Sequence, residues 1–233
     1  MAEIFDHWAE KYDQWFETPM GRLIKGYESD LVLRMLAPGP GDLILDAGCG
    51  TGIFTANILK TGARVVGLDL ALDMLRRAMT KCPDRTFQSV IGDMQGLPFA
   101  DTSFNKAMSI TAIEFIQDAK IAVKELFRVT KPGGSIVVAT LNSLSPWAHR
   151  RKEAAQRGHS LFRHAIFRSF DEMISLSPVK GMVQTAIHFE KHDDPDVVPK
   201  IEKSGSEKNL KTGAFLAVRW IKPGQMNLEP ISK

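Results

Sequence analysis

The chain has 233 residues, of which 44% are hydrophobic, enough for one α/β domain with a sizeable core. Lys and Arg number 30 against 27 Asp and Glu, a net charge of +3 that is too mild to imply a polyanion partner by itself. The two cysteines, Cys49 and Cys82, exclude a disulfide framework or thiolate metal cage and read as reduced cytosolic thiols. The start, MAEIFDHWAEKYD, is polar and mixed in charge, and no later segment approaches the ~18–20 apolar residues of a membrane span. A soluble, cytoplasmic protein is expected.

In chain order, residues 3–36 read as two helices around a break at Thr18-Pro19-Met20-Gly21. The second, over 22–36, sets Leu23, Tyr27, Asp30-Leu31 and Arg34-Met35 at mixed helical spacing and is stopped by Pro38-Gly39-Pro40-Gly41. Strands and helices then alternate. A strand over 43–47 precedes a helix over 53–60 ended by Gly62, and a strand over 64–68 leads to Asp69 and a helix over 72–80. Strands over 86–91 and 105–110, a helix over 119–129 closed by Lys131-Pro132-Gly133-Gly134, and a strand over 135–141 follow. This alternation predicts a parallel, doubly wound sheet with right-handed crossovers. Downstream, Ser169-Phe170-Asp171-Glu172 is a capping box that opens a helix over 170–176. Segments 179–189 and 213–222 read as an antiparallel hairpin at the sheet edge, joined by a charged loop bearing Pro and Gly. The expectation is one α/β domain over 1–233, a seven-stranded Rossmann-like sheet divided into helices over 1–40, a core over 41–142 and a final part over 143–233.

The stretch 43–55, LILDAGCGTGIFT, runs from an apolar strand through Asp46 into a turn with Gly48, Gly50 and Gly52. Such a turn lets a ligand approach the backbone where a helix begins, as nucleotide-cofactor sites require. Ile53 stands where a dinucleotide fingerprint carries its third glycine, which argues against NAD or FAD. Asp69 ends the second strand, where doubly wound folds place an acid that accepts from two ribose hydroxyls. A helix cap or surface acid is the plainer alternative. After the third strand comes IGDMQGLPF: Asp93 can accept from the adenine amine, the Met94 N–H can face a ring nitrogen, and Leu70 can cover the base.

The first of these stretches resembles the first motif of the class I S-adenosylmethionine (SAM) dependent methyltransferases. Gly-Asp-x-x-x-Leu-Pro-Phe followed by Asp101-x-Ser-Phe resembles their third-strand motif, and LFRVTKPGGSIVVATLN their helix, turn and fifth strand. Phe104-Asn105 replaces the family's usual Phe-Asp at a strand entrance away from the expected ligand. The resemblance is strong over 43–142. YDQWFETPMG, LNSLSPWAHRR and GAFLAVRW extend it to a bacterial subgroup similar, at the level of fold, to ubiquinone- and menaquinone-biosynthesis methylases. That subgroup brings no substrate with it.

The resemblance implies SAM as methyl donor, S-adenosylhomocysteine (SAH) as product, and in-line transfer to a nucleophile held at about 3 Å with water excluded. It makes 1–40 a helical lid, 41–142 the SAM-binding core and 143–233 the acceptor side. In the lid, Tyr12, Trp15 and Phe16 offer aromatic faces to the sulfonium, Tyr12 foremost; the alternative is that they anchor the helix. Arg22 is the candidate for the methionine carboxylate and Asp46 for the amino group, with Thr111 and Ala112 giving backbone contacts. Cys49 reads as a small packing residue of the turn.

Glu114 is a candidate base for an acceptor hydroxyl or amine, or merely an acid near a helix start. His149, His159 and His164 are further candidates; no two share an i, i+4 metal spacing, and no metal is expected. Segment 145–168 also carries Arg150, Arg151, Lys152, Arg157, Arg163 and Arg168. These either greet an anionic acceptor, such as a carboxylate, phosphate or coenzyme A, or form a solvated face balanced by Glu153. Trp147 walls the pocket or covers the sheet.

A small-molecule methyltransferase is the leading reading. Methylation of nucleic acid or protein is the alternative, but Ser109-Ile110-Thr111-Ala112 replaces the amino-methylase Asp/Asn-Pro-Pro-Tyr, and no strongly basic module accompanies the core. Two cysteines disfavour a thiol-rich arsenic methylase. A non-catalytic SAM-binding regulator and a dehydrogenase complete the set, the latter weakened by Ile53.

Overall fold

In a computed structural model, which describes residues 5, 8–83, 85–158 and 162–224, seven strands form one sheet in the order β3-β2-β1-β4-β5-β7-β6. They are β1 (Leu43–Ala47), β2 (Arg64–Asp69), β3 (Phe87–Ile91), β4 (Lys106–Ile110), β5 (Ser135–Leu141), β6 (Met182–Ala186) and β7 (Phe215–Ile221). Strands β1 to β5 pair in parallel, and β7 runs antiparallel between β5 and β6. The helices are α1 (Ala9–Glu17), α2 (Pro19–Leu36), α3 (Thr55–Leu59), α4 (Leu72–Lys81), α5 (Ala119–Val129), α6 (Pro146–Gln156), α7 (Phe170–Ile174) and α8 (Val198–Glu207). The mostly parallel Rossmann-like sheet of the sequence reading is present, antiparallel edge included.

Two apolar layers flank the sheet. On one face Leu31, Val32 and Met35 of α2 share a core with Ile44, Met108 and Val137; on the other, Val123 and Leu126 of α5 share one with Leu45, Ala107 and Ile136. Adjacent strand residues fall into opposite layers because side chains alternate along a strand. Burial on both faces is why the central strands read as unbroken apolar runs.

The break between α1 and α2 is a single residue. Thr18 is extended, its hydroxyl oxygen accepts from the Gly21 N–H at 3.0 Å, and Pro19 occupies the first turn that needs no N–H. The inward stripe of α2 is Ile24, Glu28, Leu31, Val32 and Met35, with Leu23 and Tyr27 at its margin. An acid therefore sits in an otherwise apolar stripe.

The tail departs from expectation twice. Strand β6 stops at Ala186 because Ile187 turns left-handed, at φ 66°, and the N–H groups of Ile187 and His188 bond the Glu202 carboxylate at 3.0 and 2.7 Å. That carboxylate belongs to α8, so a helix, and not a hairpin loop, connects β6 to β7. Pro199, Ser204, Gly205 and Ser206 made this segment read as loop, yet its proline lies in the first turn, where it is tolerated. Helix α6 was also unassigned from sequence; Ser145 caps it, accepting from the Ala148 N–H at 3.1 Å, and Pro146 starts it. The capping box at Ser169 and Glu172 is present. Among the described residues no helix is long and apolar enough to cross a membrane.

The Leu97-Pro98-Phe99 stretch of the third-strand motif has a structural purpose. Arg128 of α5 donates to the carbonyls of Leu97 and Phe99 at 2.9 and 2.8 Å, and its partner Glu125 accepts from the Leu97 N–H at 2.9 Å. This clamp fixes the loop that leaves β3. Arg128→Ala should cost about 2 kcal/mol by stranding these groups, a fall in Tm of about 4–8 °C for a chain of this size. An unchanged thermal melt would show the clamp to be dispensable.

Candidate active site

A cleft of about 980 Å³, part of it open to solvent, lies at the carboxyl edge of β1, β2 and β4, where the strand order reverses. Crevices at that point are where open α/β sheets take ligands. Its floor is the turn after β1. The N–H groups of Gly48 and Cys49 both donate to the Leu68 carbonyl, at 2.7 and 3.0 Å, and the Gly50 N–H donates to Asp69 Oδ2 at 2.8 Å. Gly48 has φ 79°, and a Cβ there would stand 2.4 Å from the Ala112 Cβ. No larger residue fits.

The cleft walls divide by chemistry. Leu68, Leu70, Gly92 and Met94 make an apolar slot. Asp69 stands beside it, its Oδ1 accepting from the Ala71 N–H at 2.9 Å. Across the glycine turn, Asp46 is 2% exposed and accepts from the Thr55 hydroxyl at 2.6 Å. Burial pushes its carboxyl up to about 7, opposed by that hydrogen bond and reinforced by the charge of Asp69. Phe5, Trp8, Tyr12 and Phe115 form the aromatic side, the rings of Phe5 and Phe115 meeting edge to face at 4.8 Å. Burial raises the Tyr12 phenol well above its ordinary range although Thr111 hydrogen-bonds it. Thr111, directly after β4, is in a left-handed conformation, φ 49°, a strained state of the kind that collects at ligand sites.

Residues 45–138 match the methyltransferase domain family. A malonyl-[acyl-carrier protein] O-methyltransferase of Pseudescherichia vulneris is 29% identical over 217 residues, covering 84% of this chain and 83% of that protein. A demethylmenaquinone methyltransferase of Renibacterium salmoninarum is 36% identical over 140 residues, 60% of this chain and 57% of the relative. Residues 45–138 are a methyltransferase domain, and the chain as a whole is similar to SAM-dependent methyltransferases. The fold is shared with a Thermotoga maritima SAM-dependent methyltransferase, a possible histamine N-methyltransferase, at TM-score 0.76 and 22% identity over 95% of this chain and 99% of that one.

Within this methyltransferase, most of the predicted cofactor contacts converge. Tyr12, Asp46, Gly48, Cys49 and Gly50 line the cleft, as do Asp69, Leu70, Met94, Thr111 and Ala112. Burial raises the Cys49 thiol far above its ordinary value, in keeping with a packing residue. Gly52, Asp93 and Arg22 lie outside the lining. A Cβ on Gly52 would meet Ala78 of α4 at 3.1 Å, so it spaces turn from helix. Asp93 accepts from the Gln95 N–H at 2.8 Å, at the rim. Arg22 is exposed and its guanidinium bonds the Glu17 carbonyl. Of the lid aromatics, Phe16 packs in the core and Trp15 is 39% exposed; Phe5 and Trp8, unforeseen, take their place in the cleft.

The candidate bases separate. His149 is exposed and pairs with Glu153 at 3.2 Å; His164 is exposed, and His159 lies outside the described residues. Glu114 is wholly buried in the 3₁₀ turn Ile113–Phe115, with Oε2 accepting from the Thr140 hydroxyl at 3.3 Å and Oε1 without a partner. Burial pushes it up to about 7 against its own backbone N–H, Thr140, Arg151 and Arg168. Glu28 is pushed by burial up to about 8, opposed by Arg151. Among the described residues no group of three or more His, Cys, Asp or Glu is placed to hold a metal ion.

Two residues hold the site together: Arg168, read from sequence only as part of a basic segment, and Asp13, for which the sequence gives no role. Arg168, 7% exposed, donates to the carbonyls of Ile113 and Ile116 at 2.7 and 2.8 Å, fixing the turn that carries Glu114. Asp13 of α1 accepts from the Thr51 hydroxyl at 2.6 Å and pairs with Lys81 at 2.5 Å, latching the lid helix to the glycine turn and α4. Asp13→Ala should speed proteolysis within α1 and weaken SAH binding by about tenfold, read by limited digestion and calorimetry. Because the folded carboxyl of Glu28 sits above its unfolded value, the native state holds the extra proton, and stability falls as pH rises toward 8. Glu28→Gln should flatten the decline of Tm between about pH 5 and 8, the interval in which only the native state keeps the proton; parallel curves would contradict the burial effect.

Proposed function

We propose that Asp69 receives the ribose hydroxyls of SAM, that Leu70 and Met94 cover its adenine, and that Asp46 takes the methionine ammonium. What carries this reading is two acids on either side of an open glycine turn in one otherwise apolar cleft. The residues fit the group: where a Cβ of Gly50 would project, the nearest atom is the Met74 sulfur at 4.0 Å, which leaves its backbone approachable. Bound there, SAM supplies a methyl carbon made electrophilic by the sulfonium. The chain's own part is to orient and to exclude water: α1 covers the cleft as a lid, and Trp8 and Tyr12 give the sulfonium end an aromatic surround. On this reading residues 1–40 are the lid, 41–142 the donor core and 143–233 the acceptor side of one domain.

The acceptor is a small molecule that reaches the Tyr12 and Thr111 end, and an anionic one suits the basic segment after β5. The relatives are named for methylating a malonyl-[acyl-carrier protein] and demethylmenaquinone. The buried thiols Cys49 and Cys82 accord with a cytoplasmic location. Calorimetry with SAM, SAH and NAD, alongside Asp69→Ala, tests the donor assignment. Binding of both sulfur ligands, absent for NAD and weaker by about tenfold or more in the variant, is expected. Folded protein that binds neither sulfur ligand would sink the reading.

A further inference from the structure

Three elements far apart in sequence bring charged side chains together beyond the aromatic end of the cleft. Glu28 comes from α2, Glu114 from the turn after β4, and Arg151 from α6. The charges of Glu28 and Glu114 act on Arg151, and theirs also reach the Tyr12 phenol, which lines the cleft. Yet the cluster is not closed on itself. Nη1 of Arg151 is buried with no hydrogen-bond partner, and so is Oε1 of Glu114. A buried guanidinium N–H left without an acceptor is costly and unusual. The neighbouring arginines are turned to other groups: Arg150 pairs through Nη2 with Glu190 at 2.5 Å, its Nη1 also buried without a partner, and Arg168 serves the carbonyls of Ile113 and Ile116. Arg151 is held in place from behind, its guanidinium carbon 5.6 Å from the Trp147 ring centre.

We propose that Arg151, walled by Glu28 and Glu114, is the seat for a carboxylate carried by the methyl acceptor, reached from the cleft past Tyr12. The inference rests on the SAM-binding reading and adds the chemical class of the acceptor's anchor. A planar carboxylate matches the guanidinium fork. Burial holds Glu28 and Glu114 toward their protonated forms, so near neutral pH they leave the seat cationic and offer O–H donors to an anion. An ammonium group would face the charge of Arg151 without a firmly ionised acid to offset it. A phosphate dianion carries a second charge that the single guanidinium of Arg151 leaves uncompensated.

The test titrates SAH-loaded protein with hexanoate, hexylamine and hexyl phosphate, following the Arg151 side-chain nitrogen resonances and the heat of binding. Saturable binding of hexanoate, with the Arg151 resonances shifted and the other two probes weaker by about tenfold or more, is expected. In Arg151→Met, hexanoate affinity should drop by about tenfold or more while SAH affinity stays as it was. Arg151→Lys, which keeps the charge and loses the fork, should fall between. Hexanoate that fails to bind SAH-loaded wild type, binds no better than hexylamine, or binds Arg151→Met equally well would overturn the seat. The comparison of probes on wild type stands even if the variants do not fold. Failure of SAH itself to bind would overturn the donor reading on which the seat depends.

Discussion

The hydrogen bond from the Gly50 N–H to Asp69 joins the turn after β1 to the end of β2, and the other parts of the donor site take their positions from it. It works with the two bonds from Gly48 and Cys49 to the Leu68 carbonyl, so that two parallel strands are tied just beyond the point where their ladder ends. A ladder fixes backbones only within the sheet; past its edge the chain is free unless something else holds it. Here the holding group is also an acid that lines the cleft. A carboxylate offers two oxygens with about four acceptor sites, so fixing the turn and offering acceptors to a bound group are compatible in one side chain.

The lid uses the same turn from the other side. Asp13 reaches Thr51, within the glycine stretch, and Lys81, at the end of the helix packed behind it. The aromatic side chains that face the cleft are thereby positioned by an ion pair at the back of α1 and not by their own contacts alone. Its Asp13 side chain is only 14% exposed, where such a pair is screened less than a surface one. Separating α1 from the glycine turn therefore requires breaking a charged contact.

Legibility in the sequence followed how locally each feature is encoded. Strands β1 to β5 and helix α5 stand where apolar runs, glycines and capping residues said they would, because each is a short segment buried on known faces. Asp46, Asp69 and the glycine turn were readable for the same reason: strand ends next to them in sequence place them in space. Helix α8 was not, since Pro199 and Gly205 look like loop chemistry until Glu202 is seen bonding Ile187 and His188. Phe5 and Trp8 were missed because nothing in the spacing distinguishes a lid aromatic that points at the cleft from one, like Phe16, that points at the core. Arg22 misled by position alone; its guanidinium is satisfied by a carbonyl five residues back.

The acceptor side was the least legible, and the reason is physical. In the run from His149 to Lys152, four basic residues in succession spread around a helix, and one of them must face inward. His149 turns to Glu153 and Arg150 to Glu190, while the half-buried Arg151 sits within reach of the charges of Glu28 and Glu114. Which one that is depends on where Trp147 packs, four positions earlier on the same face, and on an acid from α2 more than a hundred residues away. An apolar residue at 151 would spare the fold the desolvation of a guanidinium whose Nη1 has no acceptor. A ligand carboxylate would supply that missing acceptor, so the same feature that weakens the unliganded fold becomes specific affinity for an acid. The cleft gathers strand ends, each announced by its own apolar run, whereas the proposed carboxylate seat is built from side chains on a turn and two helices that only the folded chain brings together.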